Sequence, residues 1–542
     1  MKRPSVILKI LTEDRGFLGS EGKWLLRGLV LAFALITPSV GHTEDISAEQ
    51  SARMTDTSRN GLEIAFDGYD QYLQAHQSVS TTHSSRWQAS TLLDTDNRQA
   101  DGVSAAPDEK DYLLPAAEIV AFNLLLNRFN YYFIDSQVYG SSLRSVRNNV
   151  STKWIVDTDP FSVNQFLHPY QGSVYFGLAR SSGLDYWESM AYTFGGSLLW
   201  EIAGETGLPS INDLVTTGFA GPFLGEPLFR MASLVLEGGG ETPGFWREVG
   251  AAIISPPLGF TRLAFGERYR KVFDSRDPAI YSYVRVGWNQ VDNVFDDLVS
   301  QKIEHVTATV DFHMSYGLPG KNGYTYTRPF DYFDFEFTAT TANTFENIMS
   351  RGLLLGKEYA AGENYRGVWG LYGSYDYISP QTFRVSSTAL SFGTTAQWWL
   401  SKTVALQGTA LAGLGYGAAG TIHGSGDRDY HYGATPQALV ALRLLFGERA
   451  NLDLSARSYL VSNVFSTENR GTERIFRGDV ALTMRVHGPH ALTLKYNISQ
   501  RNAQYPDIAD TRQRVQALSL LYTYSFGDRK FGAVEWRNAN GQ

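Results

Sequence analysis

The sequence predicts a mixed chain: a C-terminal antiparallel transmembrane β-barrel of about 12 strands (roughly 10–14 fit the pattern), preceded by an α-helical domain. Three observations predict the barrel. Leu452, Leu454 and Ala456 alternate with Asp453, Ser455 and Arg457, and a side-chain period of two is a strand with unlike faces. The pattern returns at Val480, Leu482, Met484 and Val486 and again at Leu492, Leu494, Tyr496 and Ile498. The alternating segments run about 9–13 residues, enough for a tilted strand to cross a bilayer and longer than the usual globular strand of about 5–6. Aromatic residues gather near segment ends, as at Trp398, Trp399, Tyr522, Tyr524 and Phe526, which suits an interfacial girdle.

A soluble sandwich also alternates apolar and polar residues, and the leader argues against it. Lys23 and Arg27 precede an apolar run from Gly28 to Ile36, and Ser39 and Gly41 suit the positions before a peptidase cut. Residues 1–41 therefore read as a signal peptide, with the mature chain starting near His42. Glu13, Asp14 and Glu21 make its first part unusual and point to a start codon downstream of Met1. The apolar run is too short for a permanent helical span, so any crossing is made by strands. With no cysteine, neither a lipid-anchored N-terminus nor a disulfide framework is available. A net charge of -8 gives no basic footprint for nucleic acid.

Residues 42–110 are polar and read as a largely disordered linker. From Asp111 the pattern turns helical, with Leu113, Ile119, Val120, Phe122, Leu124 and Leu125; a helix apolar on most of its circumference is expected to be buried. Residues 111–273 read as a helical plug or periplasmic domain, 274–527 as the barrel, and 528–542 as a tail beyond the aromatic strand end at Phe526.

Strands are expected at Ala279–Gln290, His305–Gly317, Asp331–Thr341, Ile348–Tyr359, Tyr365–Ile378 and Phe383–Leu400. Six more follow at Lys402–Gly417, Pro436–Phe446, Ala450–Val461, Phe476–His487, Ala491–Gln500 and Arg514–Phe526. Tight turns fall at Ser401, Gly447 and Gly488–Pro489, and long polar loops at Thr421–His431, Ser462–Arg474 and Arg501–Thr511. Short turns belong on the periplasmic side, so both ends of the barrel sequence point there. The long Pro319–Pro329 segment breaks that rule. The inward faces carry Arg285, Asp311, His313, Asp334, Glu336, Arg443, Asp453, Arg457, Arg485 and Lys495. Mixed signs suit cross-lumen pairing or a solvated pore rather than a one-sign selectivity ring. His313 with Asp311 and Asp334 is the one metal-capable grouping, at a spacing that specifies no metal.

The densest constellation runs from His168 to Arg268: His168-Pro169-Tyr170-Gln171-Gly172, Arg180, Glu188, Ser189, Glu201, Glu205, then Pro209-Ser210-Ile211-Asn212-Asp213-Leu214, Leu224-Gly225-Glu226-Pro227 and Arg230. Over about residues 155–270 it resembles the bacterial envelope family called domain of unknown function 3943. The resemblance rests on the Pro-Ser-Ile-Asn-Asp-Leu and Leu-Gly-Glu segments and implies no activity; it does imply an attached outer-membrane barrel.

Physically, Ser210 with Asp213 reads as a capping box, Pro227 as the start of a helix with Glu226 at its dipole, and Gly195, Gly196 and Gly204 as close-approach positions. Glu201 and Glu205 share a helix face, with Arg180 or Arg230 available to neutralise them. Read as chemistry, His168 supplies a base, Ser189 or Ser210 a nucleophile, Asp213 an orienter, and Glu188, Glu201 and Glu226 acids. No Gly-x-Ser-x-Gly elbow, His-Glu-x-x-His pair or Walker loop accompanies them.

The expected function is an outer-membrane barrel with a helical plug or cap, acting as a gated conduit or structural envelope protein. The alternative is a barrel-anchored hydrolase or acyl-transfer enzyme acting on lipid or glycan. No cofactor is expected. The expected partners are outer-membrane lipid, the barrel-assembly machinery and, on the polar N-terminal stretch, a periplasmic protein.

Overall fold

The computed structural model describes residues 110–240, 242–266, 269–296, 302–380, 383–422, 426–465, 471–527 and 530–536. The chain divides into two units, Met1–Val103 and Ser104–Gln542. The first unit, with the expected signal peptide and nearly all of the expected linker, lies outside the described residues.

Twelve antiparallel strands close into a barrel, each paired with its sequence neighbours and the last with the first. They are β1 (Ile280–Asp296), β2 (Lys302–Tyr316), β3 (Phe333–Thr340), β4 (Asn347–Ala361), β5 (Tyr365–Ile378) and β6 (Arg384–Trp399), followed by β7 (Val404–Gly420), β8 (Tyr430–Phe446), β9 (Ala450–Val461), β10 (Thr472–His487), β11 (His490–Tyr505) and β12 (Ile508–Phe526). Closure leaves no strand with an unpaired edge. One expectation fails: Arg501–Thr511 is not a long loop, because both strands run on and pair up to Tyr505 and Ile508. The polar residues taken for a loop there are strand residues that continue the barrel past its apolar belt.

Faces follow from parity. In β5, Ser374 and Asp376 point inward beside the lumen residue Arg351, while Trp369, with its indole exposed, sets Gly373, Tyr375 and Tyr377 on the outside. In β8 the exposed Val440 and Leu442 put Tyr430 and Tyr432 on the outer face too, in unbroken register with β7.

The helical part comprises α1 (Leu113–Phe133), α2 (Leu143–Ser151), α3 (His168–Ser181), α4 (Tyr186–Ala203), α5 (Ile211–Val215), α6 (Gly221–Glu237), α7 (Phe245–Ile254) and α8 (Pro256–Ala264), with π turns leading into α3 and α6. Asp185 and Glu188 form a reciprocal capping box on α4. Ser210 caps α5 through the Asp213 N–H. Pro227 lies inside α6 rather than at its start. The α3–α6 crossing is held open to backbone contact by two glycines: a Cβ on Gly172 would stand 2.2 Å from the Thr217 carbonyl oxygen, and one on Gly221 would stand 2.6 Å from the Gly172 carbonyl carbon.

Of the two placements expected for the helices, a plug in the lumen or a cap in the periplasm, the packing of the described residues excludes the first. The helices lie against the outside of the wall. Phe161 and Phe166 meet Tyr377 at 5.8 Å, Phe166 meets Phe345 at 4.5 Å, and Tyr186 stacks on Phe330 at 5.6 Å. The Phe223 ring rests on Gly373, whose missing side chain makes the room, and the Ser350 hydroxyl donates to the Phe223 carbonyl at 2.6 Å. These residues join one buried cluster with the outward-facing Tyr316, Phe333, Phe335, Ile348, Tyr375 and Tyr432. Each fully buried aromatic contributes about 1.5–3 kcal/mol, so this seam is a principal core of the molecule.

What fills one end of the lumen is the tail. Residues 530–536 turn inward, where Phe531, Ala533, Val534 and Trp536 pack with Tyr281, Tyr283, Tyr332, Tyr372 and Leu411. At the other end Met349, Ile378, Phe383, Val385, Tyr459, Val461, Ile475 and Val515 form a second apolar layer.

Candidate functional site

Between the two apolar layers the lumen is charged. Arg443 and Asp453 sit opposite each other on β8 and β9 and bond at 2.6 Å. Other pairs cross the barrel. Arg285 of β1 reaches Asp453 at 3.4 Å, Lys495 of β11 reaches Asp311 at 2.9 Å, and Arg457 of β9 reaches Glu336 at 3.0 Å. Arg351 holds Asp334 at 2.5 Å, and His313 lies 3.2 Å from the same carboxylate. Arg485 stands apart, nearer the tail, with its guanidinium over the Phe531 ring at 4.7 Å. A cavity of about 120 Å³ remains among these groups, lined by Arg285, His313, Asp334, Arg443, Asp479 and Lys495 among others. Among the residues that line it, Arg285, His313 and Arg351 each have a buried nitrogen without a protein partner, which suits ordered water.

The metal-capable grouping changes membership. Asp311 is taken by Lys495, and the ligand atoms of His313, Asp334 and Glu336 lie within 4.8 Å of one another. Arg351 and Arg457 already bind those two carboxylates, so a cation would have to displace guanidinium groups. Sequence reading missed Arg351, Asp376, Arg477 and Asp479 in this layer. Parity from the exposed neighbours in β5 and β10 would have found Asp376, Arg477 and Asp479, whereas the register shift between Leu353 and Leu355 hides Arg351, which strict parity from the exposed Leu355 would put outside.

The helical candidates fall into separate places. Glu188 sits on the surface with Lys110 at 2.7 Å and Tyr112 at 2.8 Å. Ser189 is fully buried, its hydroxyl without a hydrogen-bond partner. A polar knot gathers the rest. The Ser210 hydroxyl donates to Asn212 Oδ1 at 2.7 Å, and its N–H donates to Glu201 at 2.8 Å. Asn212 Nδ2 donates to Asp157, to Asp213 and to the Tyr432 hydroxyl, at 2.9, 3.0 and 2.9 Å. His168 Nε2 lies 3.7 Å from Asp213, beyond hydrogen-bonding range. Burial pushes the Glu201 carboxyl up to about 8 and Glu205 up to about 7, raises Asp213 well above the carboxylate range, and brings His168 down to about 4. With its imidazole brought down to about 4, His168 is neutral at pH 7, and its contact with Asp213 is no ion pair. The Ser210 hydroxyl is committed to capping and to Asn212, and the imidazole is turned to Asp213.

Glu226 is in a different environment. It accepts from Arg180 Nε at 2.7 Å and from Arg230 Nε at 2.7 Å, and Arg230 continues to Asp331 at 3.1 Å. Burial works to raise its pKa, but the two guanidinium groups together hold it below its ordinary value. Gly225 beside it packs against Ser173 and Phe176 of α3. Asp331 and Tyr432, both contributed by the barrel, were not legible as partners of the helical motif, because the contacts span about a hundred and two hundred residues.

None of the curated proteins matches the chain. Among solved structures it is similar to OccAB3 of Acinetobacter baumannii, at 8% identity over 46% of this chain and 99% of that one, with a TM-score of 0.20. It is similar to the translocator domain of the autotransporter NalP from Neisseria meningitidis, at 14% identity over 45% and 88%, with a TM-score of 0.22. It is likewise similar to an anion-selective porin from Comamonas acidovorans, at 9% identity over 46% and 100%, with a TM-score of 0.20. Residues 153–257, which span the polar knot and the Arg180–Glu226–Arg230 chain, match the family model described as domain of unknown function DUF3943.

Proposed function

We propose that this chain is an outer-membrane β-barrel whose lumen is a conduit held shut by the protein's own C-terminal segment. Membrane placement is supported by the outer face, where Val286, Trp288, Val480, Leu482, Leu494 and Leu520 are exposed on a closed barrel; such a band needs acyl chains to cover it.

The observation that carries the conduit reading is the contrast between the middle and the end of the lumen. The middle is a charged, water-sized chamber. Its end is closed by a short segment fastened through a few side chains: Gln407 donates to the Gly532 carbonyl at 2.7 Å, and Gln397 exchanges bonds with Val534 at 2.7 and 2.9 Å. Trp399 adds one to the Val534 carbonyl at 3.0 Å. A closure made of backbone carbonyls and amides on two glutamines can be released without breaking the barrel. The substrate class follows from the lining, which balances acidic and basic groups and favours small polar or zwitterionic solutes over a single ionic sign.

Planar-bilayer conductance tests the reading, comparing the full chain with a chain ending at Gly527, both shown folded by heat-modifiable gel mobility. Conductance that appears only on truncation supports it. Silence from both folded proteins overturns it.

A further inference from the structure

Three helices of the helical domain, α1, α4 and α7, turn large apolar side chains outward. On α1 the inward row is Pro115, Ile119, Asn123 and Asn127, with Glu118 beside it, whereas Leu113, Val120, Leu124, Leu125, Tyr132 and Phe133 are exposed. α4 repeats this along its middle: Ser189, Thr193, Gly196, Ser197 and Glu201 point inward, between the buried Tyr186 and Trp200 near its ends, and Trp187 and Leu198 point out. On α7, Phe245, Trp246 and Ile253 are 69%, 80% and 75% exposed. A helix packed in water shows the opposite polarity, with its apolar stripe toward the core. The inward polar groups are used. Asn123 donates to the Gly196 carbonyl at 3.1 Å, Asn127 to the Gly204 carbonyl at 2.7 Å, and Glu118 accepts from Thr261 at 2.9 Å. Interhelical hydrogen bonds inside and apolar side chains outside are what a helix bundle surrounded by hydrocarbon requires.

The height of the bundle on the barrel fits the same surroundings. Gly373, which receives Phe223, is paired across strands with Leu390, and Leu390 is an outward residue 45% exposed. Phe312 and Phe337, at the edge of the helix-covered seam, are paired with each other. On the other side Phe312 is paired with Val284 of β1, next to the exposed Val286. The seam and the apolar band therefore share the same rows of the barrel, and the outer face of the bundle continues the band sideways.

We propose that the helical domain lies within the hydrocarbon layer alongside the barrel, with acyl chains of the bilayer as the partner of its exposed apolar face. This rests on the membrane reading of the barrel. No helix among the described residues is long and apolar enough to cross a membrane alone. In this arrangement none has to: the barrel wall covers one side of the bundle, polar groups pair inside it, and lipid meets only the remainder.

The chain has no cysteine, so single nitroxide labels test the proposal directly. Leu125→Cys and Ile253→Cys report on the bundle, Val480→Cys on the exposed barrel wall, and Glu448→Cys on an exposed turn. Each full-length protein is labelled and reconstituted in phosphatidylcholine vesicles. Power-saturation measurements then give the ratio of collisions with oxygen, which partitions into hydrocarbon, to collisions with a water-soluble nickel chelate. The expected result is a ratio at 125 and 253 matching that at 480 and several-fold above that at 448. A ratio at 125 and 253 matching that at 448, while 480 reads lipid, overturns the proposal and leaves the barrel reading intact. Protection from both reagents at 125 and 253 also overturns it, since that marks a protein cover. A water-like ratio at 480 overturns the membrane reading itself.

Discussion

Arg230 reaches from α6 to Asp331 in the segment before β3, Nη1 to Oδ1 at 3.1 Å, with both side chains buried. This pair ties the helical domain to the barrel. It also extends the chain Arg180–Glu226–Arg230 to a carboxylate that further binds Arg276 and the backbone N–H groups of Thr327 and Arg328.

Arg230 serves two buried carboxylates, each of which keeps another guanidinium, Arg180 on Glu226 and Arg276 on Asp331. Arg230→Met is expected to cost about 1.5–3 kcal/mol, the range for hydrogen bonds to charged groups, because each carboxylate loses one of its donors. The loss should appear as faster trypsin cleavage within 113–264 while the barrel stays heat-modifiable. A second change, Glu226→Gln, should deepen the loss, because it takes the carboxylate away from the buried Arg180 guanidinium. If the single variant resists trypsin as the parent does, the network is not what seats the domain.

The polar knot predicts a pH dependence with a defined sign. Glu201 is raised from 4.5 to about 8 and Glu205 to about 7, each mainly by burial. The unfolded chain therefore ionises first, and the stabilisation from keeping these carboxyls protonated is lost as pH rises from about 4.5 through 7 and 8. Urea midpoints of the helical circular-dichroism signal should fall steadily over that window, by on the order of a few kcal/mol in total. Glu201→Gln should remove part of the slope, with Glu205 and Asp213 keeping the rest. A midpoint that rises with pH would mean that the carboxyls are held as anions by partners.

The barrel was legible because each strand repeats a local rule, and parity at Val480, Leu482 and Met484 needs no knowledge of the partner strand. The capping of α5 by Ser210 was legible for the same reason. Three features were not. α1 looks buried on composition, since hydropathy measures how apolar a surface is and not which solvent meets it. The tail past Phe526 gave no periodic signal, as it packs by four apolar side chains and by backbone groups on Gln397 and Gln407. Gly195, Gly196 and Gly204 suggested the closest helix contact, yet Gly195 has open space around it and the backbones meet at Gly172 and Gly221, because two glycines must face each other across a crossing.

That crossing gives a sharp steric test. A methyl group at Gly172 meets a carbonyl oxygen at 2.2 Å and one at Gly221 meets backbone carbon at 2.6 Å, so neither neighbour can turn aside as a side chain would. Gly172→Ala is expected to destabilise the helical domain by about 1–3 kcal/mol through forced separation of α3 and α6. Gly195→Ala, where nothing lies within 4 Å, should be neutral or gain up to about 1 kcal/mol from helix propensity. Paired thermal melts of the helical signal read the difference, and equal effects at the two positions would contradict the packing.

The last prediction concerns the closure of the lumen. Gln397 and Gln407 are bonded to each other at 2.8 Å and together make three bonds to the backbone of Gly532 and Val534. At about 0.5–1.5 kcal/mol each, these bonds are a modest fraction of what holds the barrel but a large fraction of what fastens residues 530–536. The double change Gln397→Ala with Gln407→Ala should therefore leave heat-modifiable mobility unchanged and release the segment for part of the time. Planar-bilayer recordings should show brief openings at the amplitude of the chain truncated after Gly527. Trp536 is held separately, by its Nε1 on the Glu363 carbonyl at 2.9 Å and by Arg366 over its ring at 5.0 Å. Adding Trp536→Ala should lengthen the openings, because release then no longer competes with a second anchor on the β4–β5 turn. Openings that are equally brief with and without Trp536 would mean that Trp536 is no second anchor, and silence from both variants would place the closure at the apolar layer of Met349, Phe383 and Tyr459, at the other end of the lumen.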